Sequence, residues 1–134
     1  MTAVIDASVL VELLTMSPLG ERAVGQVRVS AGALHLPHLA DVETLSVVRG
    51  LVAGGILTAE RGAQVLADLR DFPAQRWPAH MLFDRMWELR QNTTAYDATY
   101  VALAEALGAR LITADQKLAR GVEGVAECEV VLIG

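Results

Sequence analysis

Acidic residues stand at four places where a chain of this kind can gather them. Asp6 ends the apolar run Ala3-Val4-Ile5, and Asp115 follows Leu111-Ile112-Thr113-Ala114. Asp97 lies in "TTAYDATYVALAEALG", and Asp41 and Glu43 lie in "PHLADVETLSVVRG". Hydroxyls accompany the outer two, Ser8 just behind Asp6 and Thr113 just ahead of Asp115. Clustered carboxylates without soft ligands suit Mg²⁺ or Mn²⁺, hard ions that take oxygen donors and keep several waters. Without a cation such acids repel one another, and at least one tends to hold a proton.

The elements that must position these acids alternate along the chain. Thr2 to Asp6 reads as a short buried strand and Ser8 to Met16 as a very apolar helix. Ser17 and Pro18 suit the N-cap and N1 of a second helix running to about Ser30. "ALHLP" (Ala33 to Pro37) is a strand stopped by proline, and a helix from about Leu39 to Ala53 ends at Gly54-Gly55. Thr58 caps a further helix. "PAQRWPAH" is turn-rich and has room for a short third strand. Helices follow at about Met81 to Gln91 and Thr94 to Leu107, the second closed by Gly108. "ARLITA" is then a strand, "DQKLAR" a short helix and "ECEVVLI" a terminal strand.

Strands separated by helices predict right-handed parallel crossovers. The fold class is therefore α/β, a three-layer α/β/α sandwich around a parallel sheet of about four to five strands. Ligands of such sheets bind beyond the carboxyl ends of the strands, where Asp6 and Asp115 fall. Asp97 shares a helical stripe with Val101, Ala104 and Gly108. Thr94 and Asp97 also have the spacing of a capping box, so a cap and a site are both open for this acid. Asp41 and Glu43 lie two apart in an early helical turn and face opposite sides; periodicity does not choose between them.

The length corresponds to one domain spanning residues 1–134. A composition of 53% hydrophobic and 20% charged residues argues against disorder. The single cysteine, Cys128, excludes an internal disulfide. No signal-peptide pattern opens the chain, and no apolar run approaches the ~18 residues needed to span a bilayer. The expected location is cytoplasmic. A net charge of −5 speaks against broad electrostatic adhesion to nucleic acid, but an acidic metal site carries negative charge of its own.

"VIDASVLVELL", "LPHLADVETLSVVRG", "YDATYVALAEALGARLITADQKLAR" and the final "VVLIG" together carry a resemblance to PIN-domain ribonucleases. More narrowly, the chain resembles the VapC-type toxins of bacterial toxin–antitoxin pairs. The stretches run through nearly the whole chain in the family's order. The resemblance implies catalytic and metal-binding roles for Asp6, Glu43, Asp97 and Asp115, and it selects Glu43 over Asp41. It places the hydroxyl of the family's last motif on Thr113. The implied activity is metal-dependent endonucleolytic cleavage of RNA, with Asp6 and Asp97 holding the principal Mg²⁺ or Mn²⁺. Glu43 and Asp115 would complete the pocket directly or through water, while Ser8 and Thr113 orient carboxylates or a phosphate. A homodimer and a cognate antitoxin covering the pocket, often with an arginine, are implied partners. A non-catalytic PIN-like interaction module is the alternative, and the absence of a phosphate loop argues against other phosphoryl chemistry.

Several smaller signals have ordinary readings. Lys117 and Arg120 lie one helical turn apart and could meet an RNA phosphate or simply face solvent. His35 and His38 lack partners for a zinc site. Cys128 reads as a core filler, and Trp77 and Trp87 as core anchors. Glu12 is the one charge in "SVLVELLTM", so that helix is expected to be covered on more than one side by core, a second copy or a partner.

Overall fold

Two central strands are buried along their whole length, as strands covered on both faces are. In the computed structural model, which describes residues 1–30 and 32–134, these are β1 (Ala3–Ile5) and β4 (Arg110–Thr113). Ala3, Val4, Ile5, Leu111 and Ile112 are all fully buried. Truncating one of them, as in Leu111→Ala, costs about 2–5 kcal/mol because the packed surroundings cannot close the gap.

The other strands are β2 (Leu34–Pro37), β3 (Gln75–Trp77) and β5 (Val130–Leu132). All pair in parallel, in the order β3-β2-β1-β4-β5. Helices α1 (Ala7–Leu14) and α2 (Pro18–Val29) lead from β1 to β2, and α3 (His38–Ala53) and α4 (Ala59–Arg70) lead to β3. The chain then passes through α5 (Phe83–Glu88) and α6 (Ala95–Leu107) to β4, and through α7 (Gln116–Gly121) to β5. Strand order reverses between β1 and β4. Right-handed crossovers therefore put α1–α4 on one face and α5–α7 on the other, giving the expected three layers.

Local signals act as their chemistry dictates. Ser17, Thr58 and Thr94 cap α2, α4 and α6 by accepting from the amides of Gly20, Arg61 and Asp97. Gly108 ends α6 at φ 61°, a left-handed turn that suits glycine. At Gly20 a methyl group would lie 2.2 Å from the Glu12 carbonyl oxygen, so α1 and α2 meet backbone against backbone. Buried residues of α6 run from Ala98 through Ala104, and this helix packs across β1, β2 and β4.

Two expected elements are shorter. Met81 to Gln91 is not one helix but a 3₁₀ turn at His80–Leu82 followed by α5. Leu82 offers no capping side chain, and Arg85 is committed to tertiary bonds with both oxygens of Glu105 and the Val125 carbonyl. The terminal strand keeps only Val130–Leu132 of its apolar run.

Candidate active site

The register of β1 and β4 brings the first site residues together. Ile5 lies opposite Ile112, so the next residues, Asp6 and Thr113, emerge side by side at the carboxyl edge. That edge lies between β1 and β4, where strand order reverses, the position at which open α/β sheets hold ligands. Asp6 N-caps α1: its Oδ1 accepts from Val9 N–H at 3.1 Å and from the Ser8 hydroxyl at 2.5 Å. The Thr113 hydroxyl donates to Oδ2. Both hydroxyls in turn accept backbone N–H groups, Ser8 from Ala114 and Thr113 from Asp115, each at 3.0 Å. Their protons are thereby left to face Asp6. Burial nevertheless dominates, and it pushes the Asp6 carboxyl up to about 6 against those hydrogen bonds.

Asp115 N-caps α7, its Oδ1 accepting from Lys117 N–H at 2.9 Å and Leu118 N–H at 3.2 Å. Asp97 sits in the first turn of α6. Thr94 caps its amide at 3.1 Å, but among the described residues no bond from Thr94 N–H returns to the carboxylate to close a capping box. The Asp97 carboxylate instead receives a long bond from the Thr93 hydroxyl, 3.5 Å to Oδ2. Its pKa is raised by burial first, then by Asp115 and Glu43, with Lys117 opposing. Asp97 thus lies within the field of both acids.

Glu43 and Asp41 part company on α3. Asp41 faces β3 and pairs with the Arg76 guanidinium, Nη2 to Oδ1 at 3.2 Å and Nε to Oδ2 at 3.3 Å. Glu43 faces the cleft and accepts the Tyr100 hydroxyl at 2.5 Å. Tyr100 is buried, and its phenol is held protonated by burial and by Glu43. Its hydroxyl is a site group that the sequence alone did not single out, although it follows Asp97 by three residues and so lies near its helical face.

Asp6, Glu43, Asp97 and Asp115 line one open cleft of about 490 Å³, with Ser8, Glu12 and Tyr100 among the other walls. The helix carrying Glu12 is expected to be covered on more than one side; its Val9, Leu10, Val11 and Leu14 are buried, while Glu12 itself is half-buried in the wall of the cleft. The donor set is all oxygen, as Mg²⁺ or Mn²⁺ requires. Among the described residues, however, no three acid, histidine or cysteine groups converge closely enough to enclose an ion by themselves. Such spacing fits a hydrated cation that reaches some acids through water.

Lys117 acts electrostatically on Asp97, but Arg120 lines a separate cleft of about 510 Å³ with Cys128, Val130 and Leu132. His35 accepts from the Trp77 indole N–H at 2.9 Å, and His38 is exposed. Cys128 is half-buried just before β5, and burial pushes its thiol up to about 11. Trp77 packs against the core, whereas Trp87, expected as a core anchor, is 68% exposed: Leu82, Met86 and Leu89 turn inward, and Trp87 shares the outward face with Phe83 and Arg90.

A parallel α/β/α fold with acids gathered at its strand-order reversal defines the class. Residues 3–123 match the PIN domain family. The chain is 43% identical to Ribonuclease VapC9 of Mycobacterium tuberculosis over 111 residues, which is 81% of this chain and 86% of that protein. It is 36% identical to Ribonuclease VapC12 of the same species over 128 residues, covering 96% of this chain and 98% of that one. A crystal structure of VapBC-5 from Mycobacterium tuberculosis, described as a member of the VapBC family of toxin-antitoxin systems, superposes with a TM-score of 0.63. That match has 23% identity and covers 99% of this chain and 100% of that one. The chain belongs to the PIN-domain family, in the group of the VapC ribonucleases.

Proposed function

We propose that the protein is a metal-dependent endoribonuclease and the toxin of a toxin–antitoxin pair. The observation that carries this reading is the convergence of Asp6, Glu43, Asp97 and Asp115, from four separate elements, on one open cleft. The relatives' names, Ribonuclease VapC9 and VapC12, supply the substrate class.

Asp6 and Asp97 are the principal cation ligands in this reading, with Glu43 and Asp115 completing the shell directly or through water. A bound Mg²⁺ or Mn²⁺ would supply an activated water and charge stabilisation for in-line attack on a phosphodiester. The chain's own residues do the rest. Ser8 and Thr113 fix the Asp6 carboxylate, and Tyr100 fixes Glu43. Lys117 offers the nearby positive charge for an RNA phosphate. Until a cation neutralises them, the four acids weaken the hold on a phosphate within the cleft itself.

A cognate antitoxin presenting an arginine would fit the same cleft, because a guanidinium satisfies carboxylates bidentately. A homodimer and a cytoplasmic location belong to this proposal. No helix among the described residues is long and apolar enough to cross a membrane. The test is cleavage of structured RNA by purified protein with Mg²⁺ or Mn²⁺, run beside EDTA and identically prepared Asp97→Asn. Cleavage lost in both controls supports the reading. Cleavage that survives Asp97→Asn removes Asp97 from the site.

A further inference from the structure

Beside the acidic cleft lies a second cavity of about 630 Å³, walled by Phe83, Met86, Trp87 and Arg90 of the α5 region and by Thr93 to Ala95 at the start of α6. Its aromatic rings are unburied: Trp87 is 68% exposed and Phe83 59%. Arg90 is pinned to the indole, with its guanidinium carbon 4.6 Å from the ring centroid and Nη1 donating to the Trp87 carbonyl at 2.9 Å. Thr93 joins the two cavities, since it lines this one while its hydroxyl reaches Asp97.

We infer that this cavity is a stacking site for an unpaired nucleobase of the RNA strand whose phosphodiester occupies the acidic cleft. The inference rests on the ribonuclease reading and adds to it how the substrate is held. Flat aromatic and guanidinium faces are what splayed-out bases stack on, and they accept any base because every base has a π-face. Arg90 gives the site a cation complementary to a polyanion. Asp84, also in the wall, disfavours a phosphate there and leaves the neutral base as the group to be taken in. The need is evident from charge. A chain of net charge −5 that gathers four acids at its cleft gains little from non-specific attraction to RNA, so stacking beside the cleft is a plain source of affinity.

The experiment measures binding apart from cleavage. Asp97→Asn protein in EDTA is titrated into a fluorescent single-stranded oligoribonucleotide of mixed sequence, and into the same strand annealed to its complement, with anisotropy as the readout. Trp87→Ala in that background is expected to weaken single-strand binding by about 5- to 100-fold, the range of one lost stacking contact. Trp87→Phe, which keeps a ring, is expected to stay within about threefold, and the duplex to bind poorly. Single-strand binding untouched by Trp87→Ala, or undetectable in the parent, overturns the inference. So does conversion of a dimer to a monomer by Trp87→Ala in sedimentation, which would make this face a seam between copies. Trp87-dependent binding in a protein that never cleaves RNA with Mg²⁺ or Mn²⁺ leaves the stacking site standing and removes the nuclease.

Discussion

The Tyr100 hydroxyl donates to Glu43 Oε1 over 2.5 Å and ties α6 to α3 under the acidic cleft. One carboxylate oxygen is thereby occupied and the side chain's swing is limited. Tyr100→Phe is expected to lower kcat roughly tenfold with KM little changed, in keeping with loss of a ~1.5 kcal/mol bond to a charged group. Steady-state kinetics with a melting curve check this. An unchanged kcat with a lowered Tm would make the hydroxyl a tether between helices and nothing more.

Asp6 links folding to pH. Its carboxyl holds its proton more tightly folded, up to about 6, than at the ordinary 3.8. That preference supports the fold fully below the ordinary value and is lost as pH rises through about 6. In EDTA the wild type should therefore lose stability relative to Asp6→Asn between about pH 4 and 7, by about 3 kcal/mol. Denaturant melts of both proteins across that range test it, and a constant difference would show that Asp6 is not held protonated.

Thr113 is wholly buried and serves both Asp6 and the Asp115 amide. Thr113→Val keeps the shape and deletes both bonds. A stability loss of about 1–3 kcal/mol is expected, because buried polar groups are left without partners. Thr113→Ser, which retains the hydroxyl, should recover most of the activity that valine loses. Equal activity in both variants would show that the hydroxyl does not orient the site.

Divalent metal should stabilise the folded protein. At a hundredfold excess over Kd, Mg²⁺ or Mn²⁺ adds about 2.7 kcal/mol, read as a rise in Tm. Asp97→Asn should lose most of that rise. Equal shifts in the two proteins would place the ion elsewhere.

Asp41 and Glu43 should separate cleanly. Asp41→Asn disturbs only a half-exposed pair with Arg76, worth about 1 kcal/mol or less, and should leave cleavage within about twofold. Glu43→Gln should lower kcat by about a hundredfold or more if it acts on the reacting groups. Comparable losses in both would undo the assignment.

Asp6 and Asp115 could be placed from sequence because apolar runs ending in an acid mark the carboxyl edge of a parallel sheet. Asp97 was ambiguous because one residue can satisfy a helix-terminal spacing and still turn its carboxylate elsewhere, as this one does toward Thr93. Nothing local distinguishes Asp41 from Glu43, since what separates them is Arg76, a partner 35 residues away on β3. Trp87 escaped for the same reason. Its type says core, and its exposure follows from the face it occupies, away from Leu82, Met86 and Leu89. Tertiary partners are invisible to periodicity, and they decide which polar groups face the cleft.

The hydrogen bond from Thr113 to Asp6 spans 107 residues of sequence. Asp6 is made early, and the hydroxyl that orients it comes only 107 residues later, with Asp115 two residues beyond. A chain that stops before β4 therefore carries Asp6, Glu43 and Asp97 but lacks the strand, the hydroxyl and the fourth acid that complete the cleft.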